Sequence, residues 1–239
     1  SRYQKYFLVL YLNVVVLVNE KDIDDSVNQL VTDGVNVIVI EKSEKLNLYT
    51  EKLYELRKAK GMTQDKAKDM ILNPIYFGVV MVKNGDAGGM VAGAITSTGD
   101  VLRPALQILK TAKDVLLVST LFLMEIPKST NLSSSVFAFS DCGLVVNPNA
   151  EALSEIAIQT AKSFDFLTKE EPRVAMLSYS TFGSAKGDLV NKVVMATKSV
   201  KERFPNMKID GELQLDAAII PEVSKIKAPL SAIGGNANV

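Results

Sequence analysis

The sequence predicts an α/β fold, with two α/β domains built on mainly parallel sheets flanked by helices. Three observations carry that expectation. Apolar runs rich in valine, leucine and isoleucine alternate with amphipathic helical patterns, as in a parallel sheet covered on both faces. Hydrophobic residues make up 47% of the chain and charged residues 23%, the balance of a folded globular protein. The length of 239 residues suits two modest α/β domains, with a boundary expected near Lys113–Asp114 that gives domains 1–113 and 114–239.

Element by element, the run Tyr6–Val18 is broken by Asn13 and is shorter than the roughly 20 apolar residues of a membrane span. Its composition reads as buried strand, regular over Val14–Val18. Ile23–Thr32 reads as a short helix and Val35–Ile40 as a second strand. A long helix runs through "EKLYELRKAKG" and stops at Gly61. Thr63 can cap the next helix, Asp65 lies in its first turn, and Asn73-Pro74 ends it. "YFGVVMV" fits either a strand or a buried helix. Met90–Ile95 reads as strand, Val101–Lys110 as helix, and Val115–Ile126 and Ser135–Asp141 as strands. An amphipathic helix follows "NPN" over Ala150–Phe164. "RVAMLSYS" is a strand, Gly187–Phe204 a helix, and Asp216–Ile226 a final helix interrupted by Pro221.

Composition removes whole classes of chemistry. Lys+Arg and Asp+Glu both number 27, so no net field draws the chain to nucleic acid or to an anionic membrane. The single cysteine, Cys142, cannot form an intrachain disulfide and fits a reducing, cytoplasmic compartment. Histidine is absent, which excludes Ser-His-Asp and Cys-His nucleophiles and histidine metal sites. Carboxylates, hydroxyls, backbone amides and cations remain.

Ligands of parallel α/β sheets bind beyond the carboxyl ends of the strands, so the strand-to-helix turns come next. "GAITSTGDVLRPALQILKT" (93–111) enters a helix with Asp100 as cap and Pro104 in the first turn. Arg103 then stands near the positive end of that helix, where it suits a phosphate and equally a solvated surface. "ELRKAKG" puts Arg57, Lys58 and Lys60 at a helix end, as macrodipole compensation or as a phosphate clamp with Arg103. "SYSTFGSAKGD" offers Ser178, Ser180, Thr181 and Ser184 with two glycines, but lacks the spacing of a nucleoside-triphosphate loop. "KNGDAGGMV" is a tight turn before a strand, and no helix follows it as a dinucleotide fingerprint requires. In "SDCGL", Cys142 reads as an inert buried residue.

Taken together, "SEKLNLYTEKLYELRKAKGMT", "YFGVVMVKNGDAGGMVAGAITSTGDVLRPALQILKT", "FSDCGLVVNPNAEALSEIAIQTA", "PRVAMLSYSTFGSAKG" and "KIDGELQLDAAIIPEVSKIKAP" closely resemble the phosphate acetyltransferase (phosphotransacetylase) family. That family moves an acetyl group between coenzyme A and inorganic phosphate. The resemblance implies two α/β domains with the active site in the cleft between them, a cytoplasmic homodimer, and a role in acetate metabolism. It implies direct transfer in a ternary complex, with coenzyme A as substrate, phosphate or acetyl phosphate as co-substrate, and no cofactor or metal. Arg103 aligns with the arginine of the family's "STADxxRPALQ" and Arg57 with that of "ELRKHKGMT"; the resemblance implies that both help hold the phosphate groups of coenzyme A. Thr98, Ser129, Ser180 and Thr181 are cleft candidates by position.

There are departures. The family's "RKHKG" histidine is Ala59, its "HSTAD" is "TSTGD" with Thr96 and Gly99, the second acid of "GDADGMV" is Gly88, and a cysteine of some members is Ser129. The family's opening strand and helix, and a C-terminal "SRGCSVDD"-like segment carrying the catalytic serine, arginine and aspartate, have no counterpart here; both ends are expected to be missing. Alternatives are a phosphate butyryltransferase, distinguished by acyl-pocket size, and a non-catalytic coenzyme-binding relative. A decarboxylating oxidoreductase would share the general fold, but no dinucleotide fingerprint supports it.

Overall fold

The computed structural model describes residues 13–127, 132 and 134–239. The chain divides into two compact units, Ser1–Lys110 and Thr111–Val239. The division falls where the helix before it ends: Lys110 takes a left-handed φ of 64°, a common way to stop a helix.

In the first unit, β1 (Val15–Val18) pairs in parallel with β2 (Asn36–Val39), in the register Val15 to Asn36 through Val18 to Val39. α1 (Asp25–Thr32) connects them, capped by Asp24, whose side chain accepts from the Val27 N–H. The helices α2 (Leu46–Arg57), α3 (Gln64–Ile71), α4 (Pro74–Asn84) and α5 (Thr98–Ile108) follow. A short 3₁₀ turn, Lys58–Lys60, separates α2 from Gly61 at φ 83°. Thr63 caps α3 as its sequence suggests. The ambiguous "YFGVVMV" is helix: Asn73 caps it, Pro74 opens it, and Phe77, Gly78, Val79 and Val80 are all buried. Tyr49 of α2 meets Phe77 edge-on, with ring centroids 4.9 Å apart, inside a core that includes Ile40, Leu53, Ile71, Val80 and Ile108.

Met90–Ile95, expected as a strand, pairs with no strand among the described residues. Met90 packs on α4 at Gly78, where an added Cβ would lie 2.6 Å from its sulfur. Val91 and Ile95 are left exposed. Met90 alone of this run packs against a helix; residues 91–95 are exposed.

The second unit opens with an antiparallel pair, β3 (Leu121–Glu125) and β4 (Val136–Ser140). The expected strand Val115–Ile126 is thus shortened to its second half. α6 (Ala150–Thr168) begins at the Asn149 cap and ends at Lys169, φ 61°. β5 (Arg173–Leu177) pairs in parallel with β6 (Lys208–Leu213) across α7 (Asp188–Arg203). Two short helices, α8 (Leu215–Ile219) and α9 (Pro221–Lys227), take the place of the one expected around Pro221. β6 is not legible in "KIDGEL" because Gly211 interrupts the pattern. Gly211 sits at φ 152°, and a Cβ there would come within 2.6 Å of the Met176 carbonyl oxygen on β5. Among the described residues two of the three strand pairs are parallel, which makes the fold a mixed, mainly parallel α/β one.

Candidate functional site

Arg57 is the last residue of α2 and is half-buried. Its Nε is buried and has no hydrogen-bond partner among the described residues. Folding pairs nearly all buried polar atoms, so this Nε is open to a water or a ligand acceptor, as is the Ser224 Oγ of the second unit. The cations beside it divide. Lys58 is neutralised by Glu55, Nζ to Oε2 2.5 Å, a hydrogen bond that also holds its ammonium above the usual lysine range. Lys60 is exposed on the 3₁₀ turn.

α5, which packs on α2 and α4, carries Arg103. It begins earlier than its sequence suggests. Ser97, not Asp100, is the cap: its Oγ accepts from the Asp100 N–H at 3.2 Å and donates to the Asp100 carboxylate at 2.7 Å. Pro104 therefore stands inside the helix rather than in its first turn, and Arg103 just before it is exposed. The consequence is electrostatic. The N-terminus of α5 already has its cap and an acid in its first turn, so attraction for an anion comes from the Arg103 guanidinium rather than from the helix end. Thr98, the first residue of α5, is exposed.

Thr96 was singled out by sequence only as a departure. Its Oγ1 is the other buried side-chain polar atom of the first unit without a partner among the described residues. Both such atoms thus lie in "ELRKAKG" and "GAITSTGDVLRPALQILKT", the stretches that carry Arg57 and Arg103. Nothing in the sequence signals the isolation of the Thr96 hydroxyl.

The glycine-rich stretch is different in kind. No strand follows it; Gly85 at φ 84° closes α4. Asp86 accepts from Lys45 Nζ at 2.5 Å, Tyr49 Oη at 2.6 Å and Asn84 Nδ2 at 2.8 Å. Lys45, then Tyr49 and Asn84, hold its carboxyl well below the usual carboxylate range; burial and the same Asp86 push the Tyr49 phenol up. This cluster ties α2 to the end of α4.

In the second unit, Ser180 and Thr181 lie in the turn between β5 and α7, and both are buried. Ser180 Oγ donates to Glu212 Oε1 at 2.9 Å and accepts from the Ala185 N–H at 3.0 Å. Glu212 also accepts from the Gly183 N–H at 2.6 Å. Thr181 Oγ1 accepts from the Gln214 N–H at 2.9 Å and donates to Gln214 Oε1 at 3.3 Å. These hydroxyls are engaged within the turn and fasten it to the end of β6. Asp141, at the end of β4, accepts from the N–H groups of Gly143, Leu144 and Thr120 and from Thr120 Oγ1. Burial raises its pKa, but these bonds outweigh burial and bring it down to about 2. Cys142 beside it is half-buried rather than buried. Ser129 lies outside the described residues.

Residues 9–239 match the family model described as phosphate acetyl/butaryl transferase. The chain belongs to that family. It is 53% identical to the phosphate acetyltransferase of Acetivibrio thermocellus over 226 residues, 95% of this chain and 68% of that protein. It is 48% identical to that of Thermoanaerobacterium thermosaccharolyticum over 227 residues, 95% of this chain and 69% of that protein. Among solved structures, the phosphotransacetylase from Streptococcus pyogenes superposes with a TM-score of 0.81 at 37% identity, covering 98% of this chain and 70% of that one. Among the described residues, no helix is long and apolar enough to cross a membrane, and no group of three or more metal-binding side chains could hold an ion.

Proposed function

We propose that this protein is a phosphate acetyltransferase, catalysing reversible transfer of an acetyl group from coenzyme A to inorganic phosphate in a ternary complex. The observation that carries the reading is the pairing of family membership with the unpartnered Nε of Arg57, on a helix packed against the one that bears Arg103. Coenzyme A presents several phosphate oxygens. Arg57 and Arg103 bind them by charge-assisted hydrogen bonds, and the free Nε takes one of those oxygens as acceptor. In the reaction a phosphate oxygen attacks the thioester carbonyl, a tetrahedral oxyanion forms, the C–S bond breaks, and the coenzyme leaves as thiolate and takes up a proton. Hydroxyl and backbone N–H donors stabilise the oxyanion. Thr98 is the residue we assign to such contacts; Ser180 and Thr181 shape the turn through their internal bonds. The reading includes a cytoplasmic homodimer acting in acetate metabolism.

The test is phosphate-dependent release of coenzyme A thiol from acetyl-CoA, followed together with coenzyme A binding. Release that needs phosphate supports the reading. Binding without release gives the protein the role of a coenzyme-binding relative, and an absence of binding rejects both.

A further inference from the structure

Among the described residues, none between Met90 and Pro104 is fully buried. Thr96 and Arg103 both lie in that stretch, which is therefore held to the core of its unit at its two ends. At one end Pro104 is buried inside α5. At the other, Met90 packs against the core that includes Phe77, Val79 and Val80. The contact is close. A Cβ on Gly78 of α4 would lie 2.6 Å from the Met90 sulfur and 3.3 Å from Leu17 Cδ1, so the thioether rests on bare helix backbone beside β1. Met90 is half-buried and keeps part of its surface in water.

The thioether of methionine is soft and open to oxidation. Hydrogen peroxide delivers one oxygen to it. A sulfur lone pair attacks that oxygen, the O–O bond breaks, and the departing hydroxide takes the proton of the transferred oxygen and leaves as water. The sulfur is oxidised to a sulfoxide and the peroxide is reduced. The new oxygen is a hydrogen-bond acceptor in a place without donors: the interior N–H groups of α4 are committed to the helix, and the Leu17 side chain has none.

We propose that Met90 is a peroxide-oxidation site, and that its sulfoxide leaves the core and frees the stretch bearing Thr96 and Arg103. The consequence for binding rests on the assignment of Arg103 to coenzyme A: oxidation lowers that affinity. The loss is reversible, because methionine sulfoxide reductases restore the thioether.

The experiment treats the protein with hydrogen peroxide and follows each methionine by peptide mass spectrometry. Hydrogen exchange at the Asp100–Arg103 amides and titration with coenzyme A are read on the same samples. Met90→Leu, which nearly keeps the volume and cannot be oxidised at that position, is treated in parallel. So is Met195→Leu, because Met195 on α7 is 62% exposed and oxidises more readily without touching the Arg103 stretch. The expected result is faster exchange at the four amides and a several-fold loss of affinity, both rising with the Met90 sulfoxide and both reversed by a sulfoxide reductase. Met90→Leu resists the treatment, and Met195→Leu behaves as the parent. Unchanged exchange once Met90 is oxidised would overturn the proposal. So would a Met90 that stays reduced when the other half-buried methionines of its unit, Met62, Met70 and Met81, are oxidised, or an equal loss in Met90→Leu. A protein that binds no coenzyme A before treatment counts against the assigned function, and the exchange at Asp100–Arg103 then decides the proposal by itself.

Discussion

Arg57 and Thr96 each bury a polar atom without a partner among the described residues, while Ser180 and Thr181 bury hydroxyls that are paired. The proposed function gives the first kind to a ligand and the second to the fold, and mutation separates them. Arg103→Ala removes one charged contact and should weaken coenzyme A binding roughly 10-fold or more, about 1.5–3 kcal/mol. Arg103 is exposed, so the melting temperature should stay within error. Calorimetric titration and thermal unfolding of the same sample check both halves. Ser180→Ala should do the reverse: it strips Glu212 of a donor and the Ala185 N–H of its acceptor, costing about 1–3 kcal/mol of stability with little change in affinity. A Ser180→Ala protein as stable as the parent in urea would refute the structural role. Sequence showed the hydroxyls of "SYSTFGSAKGD" at a strand end, but not that they were engaged. Their partners, Glu212 and Gln214, lie about thirty residues away, and no local pattern announces a contact of that span.

At the scale of elements, helices whose ends are written in caps were readable, as Thr63 before α3 and Asn149 before α6 show. α5 was misplaced at its start because "TSTGD" holds several residues able to cap, and the hydrogen bond from the Asp100 N–H selects Ser97. Ser97→Ala should therefore cost about 1 kcal/mol, seen as a lower urea midpoint. Strands were less legible. Met90–Ile95 has strand composition, yet only Met90 packs, on Gly78, and the rest is exposed; β6 is hidden by the glycine that lets it approach β5. The β4 end carries a pH signature. Asp141 has a folded pKa of about 2, below its ordinary value, so its contribution to stability is complete above about pH 4 and is lost as pH falls toward 2. Asp141→Asn should flatten the urea midpoint across that window relative to the parent. An unchanged acid-side slope would show that the four hydrogen bonds to Asp141 do not favour its ionised form.

For the molecule as a whole, the family was legible because long stretches from both units match in order, and the match extends over residues 9–239. The parts that escaped sequence reasoning are those set by contacts distant along the chain: the Glu212 network and the Asp86 cluster. The central claim is that Arg57 and Arg103 hold coenzyme A. It is tested most directly by titrating coenzyme A into the protein and into the Arg57→Ala/Arg103→Ala double variant. Saturable binding to the first, competed by acetyl-CoA, and none measurable to a folded double variant is the predicted result. Equal affinity for the two proteins would contradict it.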